Sequence, residues 1–313
     1  MVAREEGMTR RVTVRVPATT ANLGPGFDCM GLALDIYNTV SITSSAAFQI
    51  EITGEGAGVL PRDGQNVAYR AVQTLAEVVG REVPPLTLAL HNEIPLARGL
   101  GSSAAAIVGA LLAADQFFQS HLSVDEVLEL ACQMEGHPDN VAPAILGGCT
   151  VVVKEGQRLV HAPVPLPKDL VAVLFLPDFT LATVEARRVL PRQVEMADAV
   201  FNVGRAALLA TCLATGRLEL LRVATQDALH QPWRKALFPA MESLFKAALD
   251  AGALGVFLSG AGPTVLALAR HNADLVAHAM REAARMDRVA GSTRLARPNL
   301  EGAQVVDQES EQR

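Results

Sequence analysis

Residues 95–106 read PLARGLGSSAAA, and the spacing of Gly99, Gly101, Ser102 and Ser103 is what a phosphate group needs. Glycines lack Cβ, so the backbone can turn sharply and bring N–H groups against phosphate oxygens, while a helix that starts there aims its positive end at the same place. The serine hydroxyls add donors, and one of them can ligate a Mg²⁺ that bridges the phosphates. The run is neither GxxxxGK[ST] nor GxGxxG, so the P-loop and dinucleotide-binding readings lack their defining residues. A tight strand-to-helix turn with a serine N-cap is the plain alternative.

Residues 135–140, EGHPDN, gather Glu135, His137, Asp139 and Asn140 at the exit of a predicted helix. Zinc is rejected there, because no further His or Cys lies at ligand spacing. The plain alternative is a turn cornered by Pro138 and Asp139.

Both groups need elements to hold them. Val12, Val14 and Val16 alternate with polar residues and predict a strand that Pro17 ends, followed by the loop TTANLGPGFD. Asn66 caps a predicted helix that Gly80 closes, and Leu86, Leu88 and Leu90 form a strand leading to Pro95. Residues 102–118 are nearly apolar all round, which predicts a central helix packed on both sides. Ser123 and Glu126 make a capping box for a helix running to Met134. Residues 151–153 and 170–177 read as buried strands, and MADAVFNVGRAALLATCLATG as a long helix closed by Gly216. Two apolar segments flank SGAGPT within 256–269; Val305 and Val306 offer a last short strand before a polar tail, DQESEQR.

The composition sets the frame. A length of 313 residues suits two domains at about 150 residues each, and 50% hydrophobic with 19% charged residues is globular. A net charge of −6 gives no global positive field for nucleic acid or an anionic membrane, so an anionic ligand must be held locally. Cys29, Cys132, Cys149 and Cys212 form no CxxC pair, residues 1–10 hold no apolar signal region, and no uninterrupted apolar run reaches the ~18 residues of a membrane span. A cytoplasmic protein is expected.

Three segments, in order, resemble the GHMP small-molecule kinases: PATTANLGPGFDCMGLAL at 17–34, PLARGLGSSAAA, and FLSGAGPTVLAL at 257–268. The resemblance spans residues 11 to 306, and the wording of TTANLGPGFD and EGHPDNVAPAILGG points within the superfamily to the branch that phosphorylates homoserine. It implies an α+β fold: an N-terminal domain over 11–165 that binds ATP, and a C-terminal ferredoxin-like domain over 166–306, with flexible tails at 1–10 and 307–313. It also implies ATP and Mg²⁺ as cofactor pair, L-homoserine as substrate and a homodimer. Pro95, Leu96, Ala97, Arg98, Gly99, Leu100, Gly101, Ser102, Ser103, Ala104 and Ala105 become the ATP-phosphate segment, with Asn66 beside the adenine or simply capping its helix. Glu135 and Ser102 become the metal ligands.

Homoserine presents a carboxylate, an ammonium and a hydroxyl, so its site needs a fixed cation, an anion or carbonyl, and a phosphate in line with the hydroxyl. Asp28 is expected to hold the ammonium with help from Asn22. By resemblance Arg187 and Arg234 clasp the carboxylate, with Arg188 the neighbouring rival of Arg187, and His137 and Asn140 face the substrate. Asp139 stands where related kinases carry a catalytic aspartate; Asp28 is the rival base. SGAGPT is expected to pack near the phosphate loop.

Overall fold

The computed structural model describes residues 8–156 and 158–312. Two sheets organise it. The first holds β1 (Met8–Ala21), β2 (Met30–Ser44), β3 (Gln49–Gly54), β4 (Leu86–Asn92), β5 (Cys149–Glu155) and β6 (Arg158–Val164), joined at one edge by the chain's last strand. Pairing is antiparallel except between β3 and β4. Helices α1 (Val67–Val78), α2 (Ser102–Phe118), α3 (Val124–Glu135) and α4 (Pro138–Leu146) accompany it.

The chain then builds β7 (Val171–Pro177), α5 (Thr183–Arg188), α6 (Met196–Thr215), α7 (Leu221–Ala224), α8 (Gln231–Arg234), α9 (Met241–Asp250), β8 (Gly255–Leu258), β9 (Val265–Ala269), α10 (Ala273–Met286) and β10 (Gly291–Ala296). These strands form an antiparallel sheet in the order β10-β7-β9-β8, the βαββαβ arrangement of a ferredoxin-like unit. Val173, Phe175, Val265 and Ala267 pack with Leu244 of α9 and Val276 of α10. Leu174, Leu176, Leu266 and Leu268 turn the other way and join the core of the first sheet. Burial on both faces explains why residues 170–177 read as an unbroken apolar run.

Finally β11 (Gln304–Gln312) returns and pairs antiparallel with β1. The return starts at Arg297, whose carbonyl accepts from Asp35 N–H, and Asn299 N–H donates to Ala33 O. The C-terminal segment thus closes the N-terminal sheet. Met8–Arg10 and residues 307–312, expected as tails, are paired strand: backbone hydrogen bonding along an edge needs no apolar pattern. Residues 1–7 and 313 of the expected tails lie outside the described residues.

Two further expectations are corrected. Pro17 does not end β1; the pairing passes from Pro17↔Tyr37 to Ala18↔Leu34 through a register shift, a position where the missing N–H is tolerated. The break at EGHPDN is a helix junction: Gly136, at φ +92°, ends α3, and Pro138 opens α4 as its first residue, where a proline costs no hydrogen bond.

Helix α2 is central as expected. Gly109 lets it approach the sheet, since a Cβ there would stand 2.6 Å from Val40 Cγ2 and 3.0 Å from Val16 Cγ2. Because α2 starts at the phosphate-loop sequence and β1 ends at the TTANLGPGFD loop, this contact fixes two chemistry-bearing segments together.

Candidate active site

Gly101 sits at φ +68° as the residue before α2, and no side chain caps the helix. Its first-turn N–H groups are therefore available to an anion. A Cβ at Gly101 would stand 2.1 Å from Thr19 Oγ1, and one at Gly99 2.1 Å from Ser259 O, so both glycines are also required by close approach. Ser259 Oγ donates to Gly99 O at 2.6 Å, and Gly260 N–H donates to Ala21 O at 3.1 Å. The SGAGPT turn thus clasps the phosphate loop and the end of β1.

A polar cleft opens beside this cradle, lined among others by Asp28, Glu135, His137, Asp139, Arg187 and Arg234. It adjoins an apolar chamber of about 480 Å³ walled by Leu60, Val67, Leu90, Leu96 and Leu181. Ala97, Gly99, Ser102, Ser103 and Thr183 border both. The junction is the start of α2.

Most of the expected residues converge here. Asn22 is buried, its Nδ2 donating to Gly260 O and its Oδ1 accepting from Asp28 N–H, so it shapes the loop that presents Asp28. Arg187 donates twice to Asp28, from Nη2 to Oδ1 at 2.7 Å and from Nη1 to Oδ2 at 3.0 Å. That hydrogen bond, with Asp28's charge, raises the Arg187 pKa. Arg188 is exposed and outside the cleft, which removes it as the rival.

Arg234 is only 2% exposed. Its Nε donates to Ala186 O, and Nη1 to Gly260 O at 2.8 Å and His230 Nδ1 at 2.9 Å; among the described residues Nη2 has no partner. Burial, and then the charge of Arg187, lower its pKa to about 10. Phe27 lies under both guanidinium groups, 5.7 Å from Arg187 and 5.5 Å from Arg234, and stacks on His230.

At the α3–α4 junction, Ser103 Oγ donates to Glu135 Oε2 at 2.8 Å. Ser103, rather than the expected Ser102, is the hydroxyl beside Glu135. Burial raises the Glu135 pKa against the opposing effects of Ser103 and His137. His137 Nδ1 lies 2.8 Å from Asp139 Oδ1. Burial alone would lower the His137 pKa; the bond to Asp139 and the charges of Asp139 and Glu135 outweigh it and raise it. Thr19 Oγ1 donates to Asn140 Oδ1 at 2.8 Å, leaving the Asn140 amide N–H groups for the cleft. Burial, and then the charges of Asp139 and Asp28, push the Cys29 thiol up to about 11.

The rest of the expected phosphate segment divides. Pro95 and Leu96 each line one space, and Arg98 lines the cleft while its guanidinium donates to Asp178 O. Leu100 is 1% exposed, and its carbonyl accepts from Thr19 N–H. Ala104 and Ala105 are fully buried and line neither space; their methyls pack α2 against its neighbours. Asn66 accepts from the N–H groups of Ala68 and Tyr69 as the α1 N-cap and also borders the apolar chamber.

Sequence reasoning missed Thr183, Phe27 and His230. Thr183 stands one helical turn before Arg187, which places both on one face of α5 and was the available signal. His230 is fully buried between Gly24 O and Arg234, a placement with no local sequence mark.

Two family models match the chain: GHMP kinases N terminal domain over residues 66–148 and GHMP kinases C terminal over residues 208–285. A homoserine kinase of Moorella thermoacetica is 47% identical, covering 94% of this chain and 99% of its own. A homoserine kinase of Desulfitobacterium hafniense is 43% identical, over 94% and 100%. Among solved structures, homoserine kinase from Cytophaga hutchinsonii superposes with a TM-score of 0.86 at 30% identity, over 98% of this chain and 99% of that one.

Proposed function

The chain belongs to the homoserine kinases of the GHMP kinase family, and we propose how its residues move the terminal phosphoryl group of ATP onto the side-chain hydroxyl of L-homoserine. The observation that carries this reading is the cleft in which Asp28, Arg187 and Arg234 stand beside the uncapped start of α2. A zwitterion and a phosphate are both matched there, within one space.

ATP places its base in the apolar chamber and its phosphates along the phosphate loop, against the first-turn N–H groups of α2. Glu135 and the neighbouring Ser103 hydroxyl offer hard oxygen ligands of the kind Mg²⁺ takes together with phosphate oxygens. A bound Mg²⁺ would neutralise charge on the phosphates. The homoserine ammonium goes to Asp28, its carboxylate to Arg187 and the free Nη2 of Arg234, and its hydroxyl toward Asn140 and Asp139. Arginine suits the carboxylate because its planar fork gives two parallel hydrogen bonds.

Phosphoryl transfer through a loose transition state demands alignment and charge neutralisation above all. The hydroxyl oxygen forms the new P–O bond as the bond to ADP breaks, and the hydroxyl proton passes to Asp139. Asp28 is the less available acceptor, since Arg187 occupies both of its oxygens. In Asp139, among the described residues, Oδ1 alone is engaged, by His137. The product, O-phospho-L-homoserine, feeds threonine biosynthesis, and the setting is cytoplasmic.

The test is a coupled ADP-release assay with Mg²⁺-ATP and, separately, L-homoserine, L-serine, L-threonine, mevalonate and galactose. Turnover of about 1 s⁻¹ or faster with homoserine alone is expected. A preference for mevalonate or galactose would overturn the substrate assignment, and thermal stabilisation by ligand without ADP release would overturn the activity.

A further inference from the structure

A second cavity, of about 400 Å³, lies among α7, α8 and α9 and shares no lining residue with the active cleft. Helix α8 separates the two, for its first residue, Gln231, lines the cavity and its last, Arg234, lines the cleft. Met241, Phe245 and Leu249 recur every fourth residue, so they share one face of α9. With Val256 of β8 they make the cavity's apolar wall.

The polar wall is unbalanced between donors and acceptors. Its acidic and amide oxygens already face donors of this chain. Asp227 accepts from the N–H groups of Leu229, His230 and Gln231, and Glu242 pairs with Lys235 at 2.6 Å. Gln226 Oε1 accepts from Arg205, and Gln231 Oε1 from Leu258 N–H at 2.7 Å. The donors have no such partners. Among the described residues, Gln231 Nε2, Gln226 Nε2 and the exposed guanidinium of Arg222 bond to nothing, although Gln231 is only 5% exposed. A buried amide N–H pair without an acceptor carries a desolvation cost that a ligand oxygen would remove. The Leu258 bond also fixes which end of the Gln231 amide is left over, so this donor is organised before any ligand arrives.

We propose that this cavity is a second ligand site, which takes a small monocarboxylate with a branched aliphatic body. Gln231 Nε2 and Arg222 hold the carboxylate, and the hydrocarbon lies on the Met241, Phe245 and Leu249 face. One guanidinium and the amides match two carboxylate oxygens, whereas a phosphate asks for the cluster of N–H groups found at the start of α2. A neutral ligand would leave Arg222 without a counter-ion. A zwitterionic amino acid would bring an ammonium to a wall whose carboxylates are already engaged, which sets this site apart from the homoserine cleft.

Isothermal titration calorimetry with 4-methylpentanoate, in saturating L-homoserine and without ATP, tests the site. The wild-type protein is expected to bind with a Kd of about 1 mM or tighter. L-Leucine, which has the same skeleton plus an ammonium, should bind at least ~10-fold more weakly. Arg222→Glu should raise Kd at least ~10-fold by reversing the charge. Gln231→Glu should do the same, since it keeps an oxygen for Leu258 N–H but replaces the free donor with an anion. Wild-type Kd weaker than about 10 mM, equal binding of L-leucine, or an unchanged Kd in both variants overturns the proposal. So does binding seen only when homoserine is omitted, which would put the probe in the cleft. Should Gln231→Glu fail to fold, Arg222→Glu decides, because Arg222 is exposed. Calorimetry needs no turnover, so the result stands apart from the kinase reading.

Discussion

Arg187 and Asp28 are each other's ligand in the open cleft, joined by two parallel hydrogen bonds of 2.7 Å and 3.0 Å. The proposed substrate carries the same two charges in reverse, an ammonium for Asp28 and a carboxylate for Arg187. Binding is therefore an exchange of ion pairs, and a ligand that carries only a carboxylate would take Arg187 and leave Asp28 uncompensated. Both residues are 38% exposed, so solvent softens that cost without removing it.

The exchange predicts selectivity. Wild-type enzyme should strongly prefer L-homoserine over 4-hydroxybutanoate, which lacks the ammonium. Asp28→Asn should raise KM for homoserine by about 10- to 100-fold, the worth of one charge-assisted hydrogen bond, and should narrow the preference. An unchanged ratio of kcat/KM for the two compounds in Asp28→Asn would remove Asp28 from ammonium recognition.

Arg234 has a heavier structural role than its sequence neighbourhood implies. From HQPWRKALFP alone, Arg234→Leu is expected to affect the substrate carboxylate and little else. In the fold it would also strand Ala186 O and His230 Nδ1, each a buried acceptor costing roughly 1–3 kcal/mol when unsatisfied, and leave Gly260 O with Asn22 alone. The prediction is a higher KM for homoserine together with a clear fall in Tm. Unchanged homoserine kinetics would remove Arg234 from the substrate site, and an unchanged Tm would remove the structural role.

What the sequence showed and what it hid follow from distance along the chain. Gly99, Gly101, Ser102 and Ser103 announce a phosphate cradle because the turn, the donors and the helix start are all local. The capping box of Ser123 and Glu126 forms as read for the same reason. Nothing local says that Gly260 O receives both Asn22 and Arg234, or that a polar C-terminal run pairs with β1, since these contacts join segments more than 200 residues apart or sit on a helix whose burial depends on them. Pro138 misled in a different way. Proline reads as the corner of a turn after α3, yet it is also a preferred first residue of the next helix, and only the fold decides between these.

His230 predicts an acid-labile clasp. It is buried and neutral, its pKa pushed down to about 4 by burial, against the pull of Asp227 and reinforced by Arg234. An unfolded histidine titrates near 6.5. A depressed folded pKa gives stability that is fully present above about 6.5 and is lost as pH falls toward 4, on the order of 3 kcal/mol in all. Tm should fall over that window in wild-type protein and fall less steeply in His230→Asn, which starts from a lower Tm because Gly24 O loses its donor. Equal slopes in the two proteins would assign the acid sensitivity elsewhere.

Glu135 and Ser103 predict a separable metal defect. Glu135→Gln keeps the shape and a hydrogen-bonding oxygen but removes the charge, so half-saturating Mg²⁺ should rise at least ~10-fold. KM for homoserine, whose charged ends are assigned to Asp28, Arg187 and Arg234, should change little. A titration of rate against Mg²⁺ at fixed ATP checks this, and an unaltered Mg²⁺ curve would show that the carboxylate does not hold the ion.

Asp139 and Asp28 predict opposite kinetic signatures, which decides where the hydroxyl proton goes. Asp139 is buried and lines the cleft, with Oδ1 against His137, whereas both oxygens of Asp28 are committed to Arg187. As general base, Asp139 is worth about 10² or more in kcat, so Asp139→Asn should lower kcat by at least that factor with little change in KM for homoserine. Asp28→Asn should act chiefly on KM. His137→Gln, which keeps a hydrogen-bonding partner for Asp139 but no titrating ring, separates the carboxylate's chemistry from its positioning: kcat should survive within about tenfold, a loss below that of a missing base. A fall smaller than tenfold in a well-folded Asp139→Asn would mean that the proton leaves late, to the transferred phosphoryl group, because a loose transition state places little negative demand on the attacking oxygen until the new bond is nearly made.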